Sequence, residues 1–365
     1  MAKRIAFLYV GKRDLAGTQN YAAYTENQIK AFRDKGVEEY VLCTGDYRGY
    51  YADATHLNDL SNLMATLTTQ IKNWTNQKVW IGTPRIPKPT TTIKKAAYQT
   101  HAQSINSYCS GMKSKIDGWM GSTSGFNNYV NGFYLNHEHI MTDINNIQDT
   151  RDALGYQINW NPACSEADLR AHPEIEMMAL VSSHVKNQMG KQLMWSPYFG
   201  TGPTNAETIK SVGYVANRTN IFNYVFIQPV YYFIPANTTF ENFQALRYSM
   251  KYQAVYNRSL SVVAPKNSST IIGVQMEVDP NMDSSSQPAN KPSYPYRYDC
   301  YKKCFENTGI AKRTGVNNED SHDALPALSS NFGYSKSNCH FSYYLDSADT
   351  INGSMLANRI ARIFY

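Results

Sequence analysis

Residues 271–279 read IIGVQMEVD, an apolar run whose last residues turn acidic. Side chains alternate across a strand, so Val274, Met276 and Val278 share one face while Gln275, Glu277 and Asp279 share the other. One face is built to pack and the other to carry polar chemistry. NGFYLNHE (131–138) repeats the pattern, with Gly132, Tyr134, Asn136 and Glu138 on one side and Phe133, Leu135 and His137 on the opposite one.

Six more β-rich runs have comparable length: RIAFLYVG (4–11), EEYVLCTGDY (38–47), KVWIGTPRI (78–86), QLMWSPYFG (192–200), FNYVFIQPVYYF (222–233) and HFSYYLD (340–346). Between the runs lie stretches of helical periodicity, among them YTENQIKAFRDKG, LNDLSNLMATLTTQIKNW, KKAAYQTHAQSINSYCSGMKSKI and NFQALRYSMKYQAVYN, and the chain closes on SMLANRIARIFY. Eight strands alternating with helices predict an α/β fold, a parallel sheet closed into a (β/α)8 TIM barrel. The expectation is one domain over residues 1–365, with long loops after strands four and seven. An open doubly wound sheet is the competing architecture, but VGKRDLAGTQN after the first strand lacks the GxGxxG phosphate fingerprint.

The composition, 42% hydrophobic and 18% charged, is that of a globular chain large enough to bury an extensive core. Net charge is +6, yet the Lys and Arg residues are scattered and form no dense block, so no nucleic-acid partner is expected. No apolar run reaches the roughly 18 residues that span a bilayer, and no signal-peptide pattern follows Met1. A soluble protein is expected, with secretion open if a leader was removed; oligomeric state is left open too. The six cysteines (Cys43, Cys109, Cys164, Cys300, Cys304, Cys339) lack zinc-site spacing and read as structural thiols. Six Asn-x-Ser/Thr sequons, at Asn73, Asn217, Asn237, Asn257, Asn267 and Asn352, fit chance occurrence in an Asn-rich chain.

Barrel enzymes work at the C-terminal ends of their strands. Glu138 and Glu277 both end polar-facing rows there, and paired carboxyl groups are the equipment of glycoside hydrolysis. Asn136, Gln228 and Gln275 accompany them, Asp279 and Asp346 also end strands, and Asp46 and Arg85 follow strands two and three, where they would bind sugar hydroxyls or form an ion pair. Tyr134, Trp195, Tyr198, Tyr231 and Tyr232 are candidate platforms for a sugar ring. HEH (137–139) invites a metal reading, but alternation turns His137 away from the inner face if Glu138 occupies it; no metal or cofactor is expected.

The blocks NGFYLNHE, MWSPYFG, FIQPVYYF and GVQMEVD resemble those of the bacterial domain of unknown function 4855, which run approximately GFYW..E, WIPYF, QPNYFF and GIEMEFD. The likeness covers strands four to seven, with Val230, Gln275 and Val278 departing from the usual Asn, Glu and Phe. It implies a glycoside-hydrolase-like (β/α)8 barrel. More distantly the arrangement is similar to the clan of retaining glycosidases with an acid/base Glu on strand four and a nucleophile Glu on strand seven. That likeness implies Glu138 as acid/base and Glu277 as nucleophile, although His137 stands where that clan has Asn.

The sequence therefore predicts hydrolysis of O-glycosidic bonds in an oligo- or polysaccharide, with retention. Glu138 is expected to protonate the leaving oxygen, and Glu277 to attack while hydrogen-bonded by groups such as Tyr231. A non-catalytic carbohydrate-binding barrel and a metal-dependent hydrolase are the rivals.

Overall fold

Eight short strands pair in parallel in chain order, and the last returns to the first: β1 (Arg4–Tyr9), β2 (Glu39–Cys43), β3 (Lys78–Gly82), β4 (Val130–Leu135), β5 (Gln192–Trp195), β6 (Tyr224–Ile227), β7 (Ile271–Glu277) and β8 (His340–Tyr344) form a closed barrel. The structure is a computed structural model describing residues 2–11, 21–44, 54–85, 95–138, 140, 163–199, 205–229, 240–277, 298, 301–302, 305 and 339–345. Each strand falls within its predicted run except β4, which starts one residue earlier, at Val130. The polar tails of the runs, among them Asn136, Glu138, Tyr198 and Gln228, lie just past the strand ends, at the mouth.

Helices occupy the connections: α1 (Glu26–Asp34), α2 (Ala54–Thr75), α3 (Lys95–Met120), the short α4 (Gly125–Tyr129) and α5 (Glu166–Arg170), α6 (Pro173–Ser183), α7 (Asn205–Arg218) and α8 (Phe240–Tyr252). A capping box starts α1: Thr25 Oγ1 accepts from the Gln28 N–H while Gln28 Oε1 accepts from the Thr25 N–H. Helices α6 and α7 escaped the reading of periodicity for definable reasons. Helix α6 is buried on nearly every side, through Ile175, Met177, Met178 and Val181 among others, so no polar face marks its period. Helix α7 carries Gly213 in its interior, a poor helix former; a Cβ there would come within 2.6 Å of Val263, so the glycine permits close packing.

Strand alternation divides the core into two layers. Ile5, Phe7, Val41, Cys43, Trp80, Tyr134, Met194, Tyr224 and Phe226 fill the barrel, whereas Ala6, Leu8, Leu42, Phe133, Leu135, Val274 and Met276 pack outward with the helices. At the N-terminal end of the barrel Glu39 pairs with Lys3 and accepts the Trp80 indole N–H at 2.6 Å, and the Lys3 ammonium lies 5.9 Å from the Tyr224 ring centroid. A buried carboxylate is tolerated there because it is paired on both sides. Cys43 and Cys109 are buried free thiols, and Cys164 and Cys339 are buried as well. Sequon residue Asn217 is buried, with its amide donating to the Val255 and Ala264 carbonyls, and so is unavailable to a glycan in the folded chain.

A Cβ on Gly132 would overlap the Gln192 carbonyl of the neighbouring strand and come within 2.8 Å of the Trp80 ring. Gly132→Ala should therefore destabilise the fold by about 1–3 kcal/mol, read as a lower denaturation midpoint. His101, His172 and His340 all have pKa values pushed below 6.5, chiefly by burial. They stay neutral in the fold while the unfolded chain protonates near 6.5, so stability is intact above that pH and falls as pH drops towards the folded-state values. Replacing His172, whose Nδ1 is buried without a partner, by Gln should flatten part of that loss in unfolding curves between pH 7.5 and pH 5.

Candidate active site at the barrel mouth

Past β4 the alternation continues into the mouth. Tyr134 faces inward, edge-on to Phe7 with ring centroids 5.0 Å apart. Asn136 is buried, donating its backbone N–H to Thr83 Oγ1 at 3.0 Å and its amide to Thr44 Oγ1 and O at 3.4 Å. His137 turns outward, as expected, with Nε2 3.0 Å from the buried Glu174 carboxylate at the start of α6. Glu138 turns back inward and stays partly exposed. Its Oε2 accepts from Arg85 Nη2 at 3.2 Å, and its carbonyl accepts the Tyr198 N–H at 3.1 Å. Of the two roles the sequence offered for Arg85, the structure shows the ion pair, and the partner is Glu138 itself.

On β7, Val274 and Met276 pack outward while Gln275 and Glu277 face inward, both buried. Tyr301 donates its hydroxyl to Glu277 Oε2 at 3.0 Å. It is fully buried and edge-on to Phe243, so the bond is held from a packed ring. Below Glu277, Gln275 Oε1 and Ser342 Oγ sit side by side in register on β7 and β8, buried and without hydrogen-bond partners. Beside Glu277 in register stands Tyr344, whose ring meets that of Tyr9 at 5.0 Å.

Tyr9, Cys43 and Tyr134 complete the wall between the two carboxylates. Burial lifts the Tyr9 hydroxyl well above 10, reinforced by Tyr344, Cys43, Tyr134 and then Glu138. Burial likewise lifts Tyr134, followed by the charge of Glu138 and Cys43 and opposed by Arg85. The Cys43 thiol is raised by burial and opposed by a hydrogen bond with Tyr9. These groups therefore keep their protons at neutral pH, and the phenols are available as donors. Across the mouth, Gln228 Nε2 donates to the Ser196 carbonyl at 2.7 Å and the Gln228 backbone bridges that of Tyr198, extending the β5–β6 pairing past the strand ends.

One predicted platform is misplaced. Met194 is inward, so Trp195 points outward, where it stacks on Phe222 at 5.1 Å and donates Nε1 to the His137 carbonyl at 2.6 Å. It is fully buried between barrel and helices and presents no face to a sugar. Asp46, Tyr231, Tyr232, Asp279 and Asp346, like His139, lie outside the described residues. Tyr9, Tyr344 and Tyr301 were not singled out from sequence. The first two could have been found by extending inward parity along β1 and β8, but Tyr301 lies beyond any strand and has no such signal. Among the described residues no group of three or more His, Cys, Asp or Glu is arranged to hold a metal ion.

No family model and no curated protein matches the chain, so the likeness to the domain of unknown function 4855 rests on the strand-end blocks alone. Solved structures do resemble it. A GH18 chitinase from Pseudoalteromonas aurantia is 10% identical over 99% of each chain, with TM-score 0.41. A glycoside hydrolase 5 lichenase from Caldicellulosiruptor sp. F32 is 9% identical over 99% of this chain and 93% of that one, with TM-score 0.45. A dihydrodipicolinate synthase from Agrobacterium tumefaciens is 9% identical over 75% of this chain and 63% of that one, with TM-score 0.34. These likenesses are of general shape; the barrel rests on the chain's own strand pairing.

Trp195→Phe should lower stability by about 1–2 kcal/mol through loss of the buried N–H bond, read as a lower denaturation midpoint. An unchanged midpoint in the Trp195→Phe protein would contradict this placement.

Proposed function

We propose that the chain, acting as one barrel domain over residues 1–365, hydrolyses O-glycosidic bonds of an oligo- or polysaccharide. The observation that carries this reading is the pair of inward carboxylates at the mouth, Glu138 and Glu277, set in different surroundings. Glu277 is buried and fixed by Tyr301, as suits a nucleophile that must meet one carbon along one line. Glu138 is partly exposed, as suits a group that must exchange a proton with solvent in every turnover.

In the proposed reaction Glu138 gives its proton to the leaving glycosidic oxygen as a Glu277 oxygen bonds to the anomeric carbon. Glu138 then takes a proton from water, whose oxygen displaces Glu277 and releases the sugar with retained configuration. Asn136, Gln275, Gln228 and the Tyr134 hydroxyl would meet hydroxyls, with Tyr198 against the ring; Asp279, Asp346, Asp46 and Tyr231 are proposed as further contacts. The Arg85–Glu138 ion pair supports the second reading, a carbohydrate-binding barrel without turnover, because it occupies one carboxylate.

A panel of reducing-end-labelled glycans distinguishes the two. Glu138→Gln and Glu277→Gln should each lower kcat by about a thousandfold or more while retaining glycan affinity. Tyr301→Phe should lower kcat by about ten- to a hundredfold with little change in KM, since it acts through Glu277. Proton NMR of the first product anomer reports retention or inversion. Binding with no turnover by the wild type, or turnover undiminished in both Gln variants, would reject the assignment.

A further inference from the structure

Away from the mouth, three tyrosines form one surface cluster. Tyr248 and Tyr252 lie one turn apart on α8, and Tyr256 follows in the hairpin that leads towards β7. Their ring centroids are 5.5–5.7 Å apart in all three pairs, and Tyr252 is 50% exposed. The hairpin is braced against the helix. The Tyr256 N–H donates to Ser249 Oγ at 2.9 Å, Tyr256 pairs with the exposed Val262, and Asn257 Oδ1 accepts from the Ser259 and Ser261 N–H groups at 3.0 Å. Helix α8 descends from β6 to the start of β7, so its C-terminal end lies at the N-terminal ends of the strands. The cluster is therefore on the side of the barrel opposite Glu138 and Glu277.

The charged residues on this stretch of chain are basic, with Arg247 buried. Residues 242–276 contain four Lys or Arg residues and no Asp or Glu. The Lys251 ammonium lies 5.3 Å from the Tyr252 ring centroid. Arg258 is anchored through Nε to Asn242 at 2.6 Å, while its Nη2 is buried without a partner. Clustered tyrosine rings offer apolar faces edged by hydroxyls, the surface that sugar rings stack on, and cations beside them select for anionic groups. The rings and turn are held in place before any ligand arrives, which lowers the ordering cost of binding.

We infer that the Tyr248–Tyr252–Tyr256 face is a binding platform for an acidic polysaccharide, its tyrosines stacking on sugar rings and Lys251 pairing with carboxylates. The platform is separate from the mouth and needs no hydrolysis there. Affinity electrophoresis of the full chain in native gels containing polygalacturonate, neutral dextran or single-stranded DNA tests it.

The chain should be retarded by polygalacturonate, weakly or not at all by dextran, and less by DNA than by polygalacturonate. A Tyr252→Ala/Tyr256→Ala double variant should lose about tenfold or more in affinity, whereas Tyr252→Phe should keep it. Lys251→Gln should weaken retention and reduce its salt dependence. Thermal unfolding of each variant separates lost binding from lost folding. Glu138→Gln and Glu277→Gln should be retarded like the wild type, so a failure of the hydrolase reading leaves this result standing. Absence of retention, equal retention by dextran or DNA, retention unchanged in the folded double variant, or retention lost in Glu277→Gln would each overturn the inference.

Discussion

A strand inside a closed barrel has no spare face: each side chain points into the barrel or into the helical layer, and the choice alternates residue by residue. On β7 this separates Val274 and Met276, which pack outward, from Gln275 and Glu277, which face inward. The inward side meets solvent only near the ends of the barrel, because Phe7, Trp80, Tyr134, Met194 and Phe226 fill the middle. An inward carboxylate must therefore sit near an end and find a partner there. Both ends meet that requirement, by different means.

At the N-terminal end Glu39 is held by the Lys3 ammonium and the Trp80 indole, and both partners are themselves packed against the barrel interior. That carboxylate is committed to structure. At the mouth Glu138 is matched by Arg85 on a partly exposed side, and Glu277 by a phenol. Partly exposed ion pairs contribute little to stability, typically under about 1 kcal/mol, so a ligand can rearrange the Arg85 contact at small cost. The phenol bond is different in kind. Tyr301 is locked by its buried ring, so it fixes the position of the Glu277 carboxyl.

The parts of the site that were legible in the sequence are those that alternation governs. His137 and Glu138 are adjacent, and parity alone assigned the first to the helices and the second to the mouth. Trp195 shows the opposite case. Chosen for its place at a strand end, it obeys the parity of Met194 and packs outward against Phe222. Arg85 was legible as a neighbour of the mouth, but not as the partner of Glu138, because that contact joins residues 53 apart in the chain through a non-strand segment. Tyr301 was illegible for the same reason: it reaches Glu277 from a segment whose periodicity carries no inner-face code. The barrel itself was readable because eight alternating runs leave few other ways to bury their outward faces.

The inner wall is also divided chemically around its circumference. Tyr9, Tyr134 and Tyr344, on β1, β4 and β8, bring hydroxyls to the mouth, and burial keeps those of Tyr9 and Tyr134 protonated and able to donate. On the β5–β7 side Gln228 is anchored to the Ser196 carbonyl, and Gln275 Oε1 is an acceptor buried without a donor. Leaving such an acceptor unpaired costs about 1–3 kcal/mol. A ligand carrying hydroxyls on both sides of a ring can donate to that wall while accepting from the phenols. A ligand with acceptors alone, such as a phosphate or carboxylate, would answer the tyrosine side and Arg85 but leave Gln275 Oε1 without a donor. The wall therefore presents donors on one side and an unpaired acceptor on the other.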